Sequence, residues 1–250
     1  MTSTTRAPSG PWSSVVPFPM GHTKLAAEIR PVRLSLQDRF LIVGQTRTGK
    51  TTLLRELIYR LRRFWPITPI QILDSKQAGD FRGWEGAWRR QEIPPAIEDG
   101  HLIWQPPDGD DIDLYNDWLE GIYNRRKPVI IVIDELSSLA GDTIGKHPRY
   151  PEALRKIQKQ GAGLNIMMII VTQEVAGIPR QVRNQATHIA RFRLIDAYDG
   201  QEVDRLIQRS IRDGEPADQH GFWYNRTDEP GRVLQYFASY QSFIDLLRAA

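Results

Sequence analysis

The sequence predicts an α/β protein in which helices cover both faces of a mainly parallel sheet. Three observations carry this expectation. A glycine loop, Gly44-Gln45-Thr46-Arg47-Thr48-Gly49-Lys50-Thr51, stands between a short apolar run and a segment of helical periodicity. Apolar runs rich in Val and Ile recur along the chain, as strands buried on both faces require. Helical segments separate these runs, and that alternation is the signature of a parallel sheet.

The elements follow in order. Residues 1–20 are rich in Ser, Thr and Pro and read as a flexible arm. Residues 21–37 lead into the sheet. Residues 21–250 read as one domain, with core motifs over 38–195 and a C-terminal extension over 196–250. Five core strands are expected at 39–43, 70–74, 129–134, 166–172 and 188–194, with an extra strand at 101–104. Helices are expected at 51–64, 112–126, 151–160, 175–186 and 198–212. A late strand falls within Gly231 to Tyr240, and a terminal helix spans Ser242 to Arg248. There is no internal repeat.

Composition narrows the classes. The chain has 250 residues, 40% hydrophobic and 25% charged, enough for a sizeable core. It has no cysteine, which excludes disulfides, cysteine zinc sites and thiol catalysis and suits a reducing compartment. A net charge of +3 permits nucleic-acid binding without requiring it. No apolar stretch is long enough to span a bilayer, and prolines at 8, 11, 17 and 19 break any signal-peptide core. A cytoplasmic protein is expected.

The glycine loop matches G-x-x-x-x-G-K-[ST] at every fixed position. Glycines let successive N–H groups point at one anion, and the following helix adds the positive end of its dipole. Residues 44–49 with Lys50, Thr51 and Thr52 are therefore expected to bind a nucleoside triphosphate. Lys50 reaches the β- and γ-phosphates, and Thr51 places its hydroxyl on Mg²⁺. Pro128-Val129-Ile130-Ile131-Val132-Ile133-Asp134-Glu135 is an apolar run tipped by two carboxylates. Such a tip lies where ligands bind in open α/β sheets. Asp134 suits the hydration shell of Mg²⁺, and Glu135 suits polarising the attacking water. Ile166 to Gln173 is a further apolar run ending in Thr172-Gln173. The Gln173 amide is suited to bonding both a γ-phosphate and that water. The plainer alternative is that the pair caps the next helix. The five histidines have no metal-ligand spacing, so Mg²⁺ is the one metal inferred.

Together these motifs resemble the FtsK–HerA superfamily of ring-forming, DNA-pumping ATPases. The resemblance rests on Walker A, a Walker B strand ending Asp134-Glu135, and the Thr172-Gln173 sensor strand. Two further features agree: Asp74-Ser75-Lys76 after the second strand, and the Gly161-led approach to the sensor strand. It implies a RecA-like, ASCE-class P-loop fold, a three-layer αβα sandwich with strand order 5-1-4-3-2. It also implies a ring, commonly a hexamer, that moves double-stranded DNA using ATP. A single motor domain without membrane helices is most similar to the viral genome-packaging branch. The expected partners are then double-stranded DNA, further copies of the chain, and a capsid vertex or membrane channel. The expected location is the host cytoplasm or the virion vertex. A conjugative or plasmid-transfer motor would share this chemistry. A nucleotide-dependent switch without DNA pumping is a third reading.

One departure keeps that third reading open. The family commonly has an arginine after Gly161 that reaches the neighbouring subunit's ATP, and this chain has Ala162. Arg155 and Lys159 lead the substitutes, ahead of Arg180, Arg183, Arg191 and Arg193. Two loops are candidate DNA contacts: 140–150, with Lys146, His147 and Arg149, and 79–90, which interleaves aromatics with arginines. The tryptophans of the second loop fit core packing better. Phe222-Trp223-Tyr224 fits either the core or a docking edge.

Overall fold

The computed structural model describes residues 18–19, 31–32, 34–77, 81, 87–90, 100–106, 112–144, 147–175, 178–194, 197–207, 215–216, 219–228 and 235–237. The main sheet contains β1 (Arg39–Val43), β2 (Ile70–Leu73), β3 (Ala87–Arg90), β4 (Leu102–Gln105) and β5 (Val129–Ile133). It continues with β6 (Ile166–Thr172), β7 (His188–Phe192), β8 (Phe222–Arg226) and β9 (Gln235–Phe237). The helices are α1 (Lys50–Phe64), α2 (Ile112–Arg125), α3 (Glu152–Gln160), α4 (Arg180–Gln185) and α5 (Ala197–Leu206).

The nine strands run in the order β9-β8-β7-β1-β6-β5-β2-β4-β3. The five motif strands are contiguous and parallel, and they reproduce the expected 5-1-4-3-2 order. The sheet extends beyond that core on both sides. β4 and β3 continue it in parallel, whereas β8 and β9 close the other edge antiparallel. In this order the phosphate-loop strand β1 lies between β6 and β7, and β6 in turn separates it from the Walker B strand β5.

Alternation along each strand divides the core into two layers. Phe40 and Ile42 of β1 pack with Leu54, Leu57, Ile58 and Leu61 of α1 on one face. Leu41 and Val43 pack on the other face with Trp118 and Leu119 of α2, Ile157 of α3 and Val182 of α4. All residues of β1, β5 and β6 are buried, which is why Phe40–Val43, Val129–Ile133 and Ile166–Val171 read as continuous apolar runs.

Several expectations are corrected. The helix expected over 175–186 is only Arg180–Gln185. Pro179 stands at its start with ψ 134°, and the residue before a proline avoids helical backbone. The strand expected to reach 194 ends at Phe192, and the one expected to include Asp134 ends at Ile133. Part of the loop read at 79–90 is strand β3, which begins directly after Gly86. Phe81 is fully buried. Phe222-Trp223-Tyr224 is core: all three are buried within β8.

The arm expected at 1–20 lies outside the described residues except Phe18–Pro19, which pairs antiparallel with Pro31–Val32. The terminal helix at 242–248 and residues 208–212 of the fifth expected helix also lie outside them. The C-terminal extension is fixed to the sheet by Arg191 of β7. Its guanidinium lies 2.7 Å from Asp204 and donates to both carboxylate oxygens of Glu215 at 2.8 and 2.7 Å.

Candidate active site

The site is built at the C-terminal ends of β1, β6 and β5. Gly44 follows β1, and its N–H donates to Thr172 O at 3.3 Å. A side chain at Gly44 would put Cβ 2.5 Å from Phe192 Cβ, so only glycine fits. Gln45 N–H donates to Arg193 O at 2.9 Å, which ties the loop to the end of β7. Gly49 has φ 101°, a left-handed conformation natural to glycine, and it turns the chain into α1. No side chain caps the start of α1. Its first-turn N–H groups, including those of Thr51 and Thr52, are thus oriented as a phosphate cradle requires. Arg47 is exposed with φ 64°, and Thr48 is buried with its hydroxyl donating to Gln45 O at 2.8 Å.

Lys50 is buried at the base of this loop, and its Nζ donates to Gln45 O at 2.6 Å. Burial, reinforced by the nearby Lys76 charge and opposed by Glu135 and Asp134, lowers its pKa to about 8. Asp134 and Glu135 are both buried directly after β5. Lys76 reaches them from the loop after β2, 3.2 Å from Glu135 Oε2 and 3.8 Å from Asp134 Oδ2.

Gln173, directly after β6, joins the two motifs. Its backbone N–H donates to Glu135 Oε1 at 3.3 Å, and its amide nitrogen donates to Glu135 Oε2 at 3.1 Å. Its amide oxygen accepts the Thr46 hydroxyl of the phosphate loop at 2.6 Å. The helix-capping alternative does not apply to Gln173. Thr172 instead forms a local turn with Glu174, its hydroxyl donating to Glu174 O at 2.9 Å.

The Glu135 carboxylate is therefore gripped from three donors, Gln173 N, Gln173 Nε2 and Lys76 Nζ. A carboxylate fixed in this way can orient one water in one direction. The Thr51 hydroxyl and Asp134 are hard oxygen donors, a set suited to Mg²⁺ held jointly with phosphate oxygens. Among the described residues there is no group of three or more His, Asp or Glu that would cage a metal alone.

The sequence did not assign two neighbours of the site. Lys76 was visible in Asp74-Ser75-Lys76, but its contact with Glu135 depends on β2 lying beside β5. His220, in the turn before β8, packs on the phosphate loop: a Cβ built on Gly49 would lie 3.4 Å from its Nδ1. No local signal pointed to it.

No protein-family model and no curated protein matches the sequence. Solved structures do. The genome packaging NTPase B204 of Sulfolobus turreted icosahedral virus 2, in complex with sulfate, matches with a TM-score of 0.63 and 14% identity. That match covers 82% of this chain and 98% of B204. The same protein was also solved with AMP, AMPPCP and ATP-gammaS. The cytoplasmic domain of the Thermomonospora curvata type VII secretion ATPase EccC matches with a TM-score of 0.62 and 18% identity, over 88% of this chain and 28% of EccC. The pCW3 conjugation coupling protein TcpA matches with a TM-score of 0.52 and 14% identity, over 88% of this chain and 67% of TcpA.

The chain has the fold of these ATPases. In this fold the phosphate loop and Ala162 lie at opposite poles of the sheet. The turn Gly161–Leu164 leads into the start of β6, whereas the nucleotide motifs follow strand ends. Gly161 packs closely under the buried Arg39: a Cβ there would lie 2.9 Å from Arg39 Nη2, so a side chain would displace the guanidinium. Lys159 is exposed in the last turn of α3, two residues before Gly161. Arg155 lies further up the same helix and pairs with Glu152 at 3.0 Å. Lys146 of the first candidate DNA loop lies outside the described residues. The rest of that loop forms a hairpin in which Gly141–Ile144 pairs antiparallel with His147–Arg149. Among the described residues no helix is long and apolar enough to cross a membrane.

Proposed function

We propose that this chain is an ATPase that moves double-stranded DNA, and that it packages a genome into a viral capsid. The observation that carries hydrolysis is the Thr46–Gln173–Glu135 bridge. It links the phosphate loop to the carboxylate that would orient water, through one amide that a γ-phosphate would have to re-pair. Lys50 exchanges Gln45 O for phosphate oxygens. Thr51 and Asp134 would hold Mg²⁺ together with the nucleotide, and the ion would supply charge neutralisation. Glu135 directs the water, and Gln173 reports loss of the γ-phosphate.

The likeness to the packaging NTPase B204, with a TM-score of 0.63 against 0.52 for the conjugation coupling protein TcpA, supports packaging over conjugation. Function in a homo-oligomeric ring, six subunits in this family, requires a cation supplied in trans. Lys159, next to the Gly161 turn, is better placed than Arg155 to replace the arginine missing at position 162. The hairpin after Glu135 contacts DNA, and the ring docks on a capsid vertex in the infected cytoplasm or virion.

The test is ATP hydrolysis with and without long double-stranded DNA, in wild type and Glu135→Gln. DNA stimulation that Glu135→Gln removes is expected. Tight ATP binding with no DNA response would sink the pumping reading and leave a nucleotide-dependent switch.

A further inference from the structure

A cavity of about 660 Å³ lies where the first turns of α2 and α3 meet α4 and the end of the hairpin. Neither the phosphate loop nor Asp134, Glu135 or Gln173 lines it. Four arginines do: Arg149, Arg155, Arg180 and Arg183. Its carboxylates, Asp113 and Glu152, belong to the first turns of α2 and α3, where acidic side chains complement the helix dipole. Glu152 also pairs with Arg155, and Arg183 pairs with Glu202 outside the cavity. Arg149 and Arg180 remain, both exposed and neither in an ion pair among the described residues. Beneath them the wall is apolar, formed by buried Leu154, Ile178 and Val182. A low-dielectric wall strengthens the field that two guanidiniums present to an anion.

A second feature of the lining agrees. Gln158 is 3% exposed, and its amide oxygen meets no hydrogen-bond partner among the described residues. Its nitrogen donates only to Met168 Sδ, a weak acceptor, so little opposes turning the amide to offer N–H groups to an anion.

We propose that this cavity is a second phosphate-binding site, apart from the nucleotide loop, in which Arg149 and Arg180 hold phosphate oxygens. Guanidinium forks match phosphate bidentately, which an ammonium does not. The phosphate comes from one of two sources, a nucleic-acid backbone or a small phosphorylated molecule. A duplex cannot enter 660 Å³, so DNA would lay successive backbone phosphates across the mouth. The DNA source rests on the translocase reading above; the phosphate site does not. Tyr150 joins this cavity to the catalytic pole: it lines the cavity and lies within the electrostatic reach of Glu135 and Glu174.

The experiment uses the full chain as wild type, R149Q/R180Q, Arg180→Lys, and the control R55Q/R63Q. The control removes two exposed charges from α1, on the opposite face of the sheet. Binding of a labelled duplex is measured across salt concentrations, and calorimetry follows inorganic pyrophosphate with ADP saturating the phosphate loop. Thermal melts verify folding. R149Q/R180Q should weaken duplex binding by about tenfold or more and reduce the log–log salt slope by about 1.8, the value for two lost phosphate contacts. Arg180→Lys and the control should keep the wild-type slope.

If wild type binds no duplex but binds pyrophosphate, and R149Q/R180Q abolishes that, the site stands with a small-molecule ligand and the translocase reading fails. If wild type and R149Q/R180Q bind duplex with equal slopes and pyrophosphate equally, the site is overturned while the translocase reading survives. A slope lowered equally by the control overturns it too, as does a wild type that binds neither probe.

Discussion

Two clusters of buried charge occupy opposite poles of the same sheet, and they differ in what their partners are. At the N-terminal pole, the Arg39 guanidinium donates to four main-chain carbonyls, those of Gln37, Asp38, Ile157 and Ile166. His188 has Tyr224 OH at 2.8 Å from Nδ1 and Asp38 Oδ2 at 3.1 Å from Nε2. Its ring stacks on Phe40 at 4.1 Å. At the C-terminal pole, Lys50, Lys76, Glu135 and Gln173 bond one another or a loop carbonyl. Both clusters contain buried charges, Arg39 in the first and Lys50 and Glu135 in the second, so burial does not mark a site. The first has partners that are part of the sheet and cannot be exchanged without unfolding it. The second has partners on mobile-length side chains and loops that an incoming phosphate can replace one for one.

The strongest way to break this contrast is to remove chemistry without removing stability. Glu135→Gln keeps the shape of the side chain, and ATP turnover should fall roughly 100- to 1,000-fold with an almost unchanged melting temperature. A large loss of stability would show that Glu135 is held as Arg39 is. The converse is Arg39→Met, which strands buried carbonyls. It should cost about 3 kcal/mol, a melting-temperature drop of roughly 6–12 °C for a chain of this size. Turnover per folded molecule should persist, and its loss would erase the distinction between the poles.

Lys76→Met sharpens the comparison within the active pole. Lys50 must be protonated to hold phosphate. Its pKa, lowered to about 8, means that metal-free ADP affinity is steady below that pH and declines as pH rises through it. Lys76 is one cause of the lowering, so Lys76→Met should move this alkaline limb upward. A limb that stays in place would show that burial alone sets it.

The smallest effect belongs to His101, at the N-terminal pole, whose Nδ1 accepts the Ile70 N–H at 3.2 Å. Burial, then Arg62, lowers its pKa below the ordinary histidine value. A depressed folded-state pKa contributes stability that is present above the unfolded value and lost as pH falls through the folded one. Denaturant midpoints should therefore slip below about pH 6.5. His101→Gln should flatten that slope.

Much of the fold and the heart of the site were legible in the residues themselves. Gly44 to Thr51 and the run ending Asp134-Glu135 are contiguous, and their chemistry depends on neighbours in the chain: glycine backbone freedom, a helix start, carboxylates at a strand end. The five buried strands were legible because a strand covered on both faces is mainly apolar, with Arg39, Gln71, His188 and Arg191 among the polar exceptions. The edge strand β3 and the antiparallel strand β8 were not, because Ala87–Arg90 and Phe222–Arg226 mix polar with apolar residues and do not read as apolar runs. The helix over 175–186 was overread because apolar spacing outweighed Pro179.

Only the tertiary structure decided which side chains meet. Lys76 reaches Glu135 because β2 and β5 pair in register, and Gln173 spans Thr46 and Glu135 because β6 lies between β1 and β5. Arg149, Arg155, Arg180 and Arg183 were noted in the sequence for separate roles, and no local pattern groups them. They become one electropositive cavity only when α3 and α4 dock side by side. Periodicity and turn chemistry act over a few residues, whereas these conjunctions depend on strand register and helix docking across separations as large as the 127 residues between Thr46 and Gln173, which no local pattern encodes.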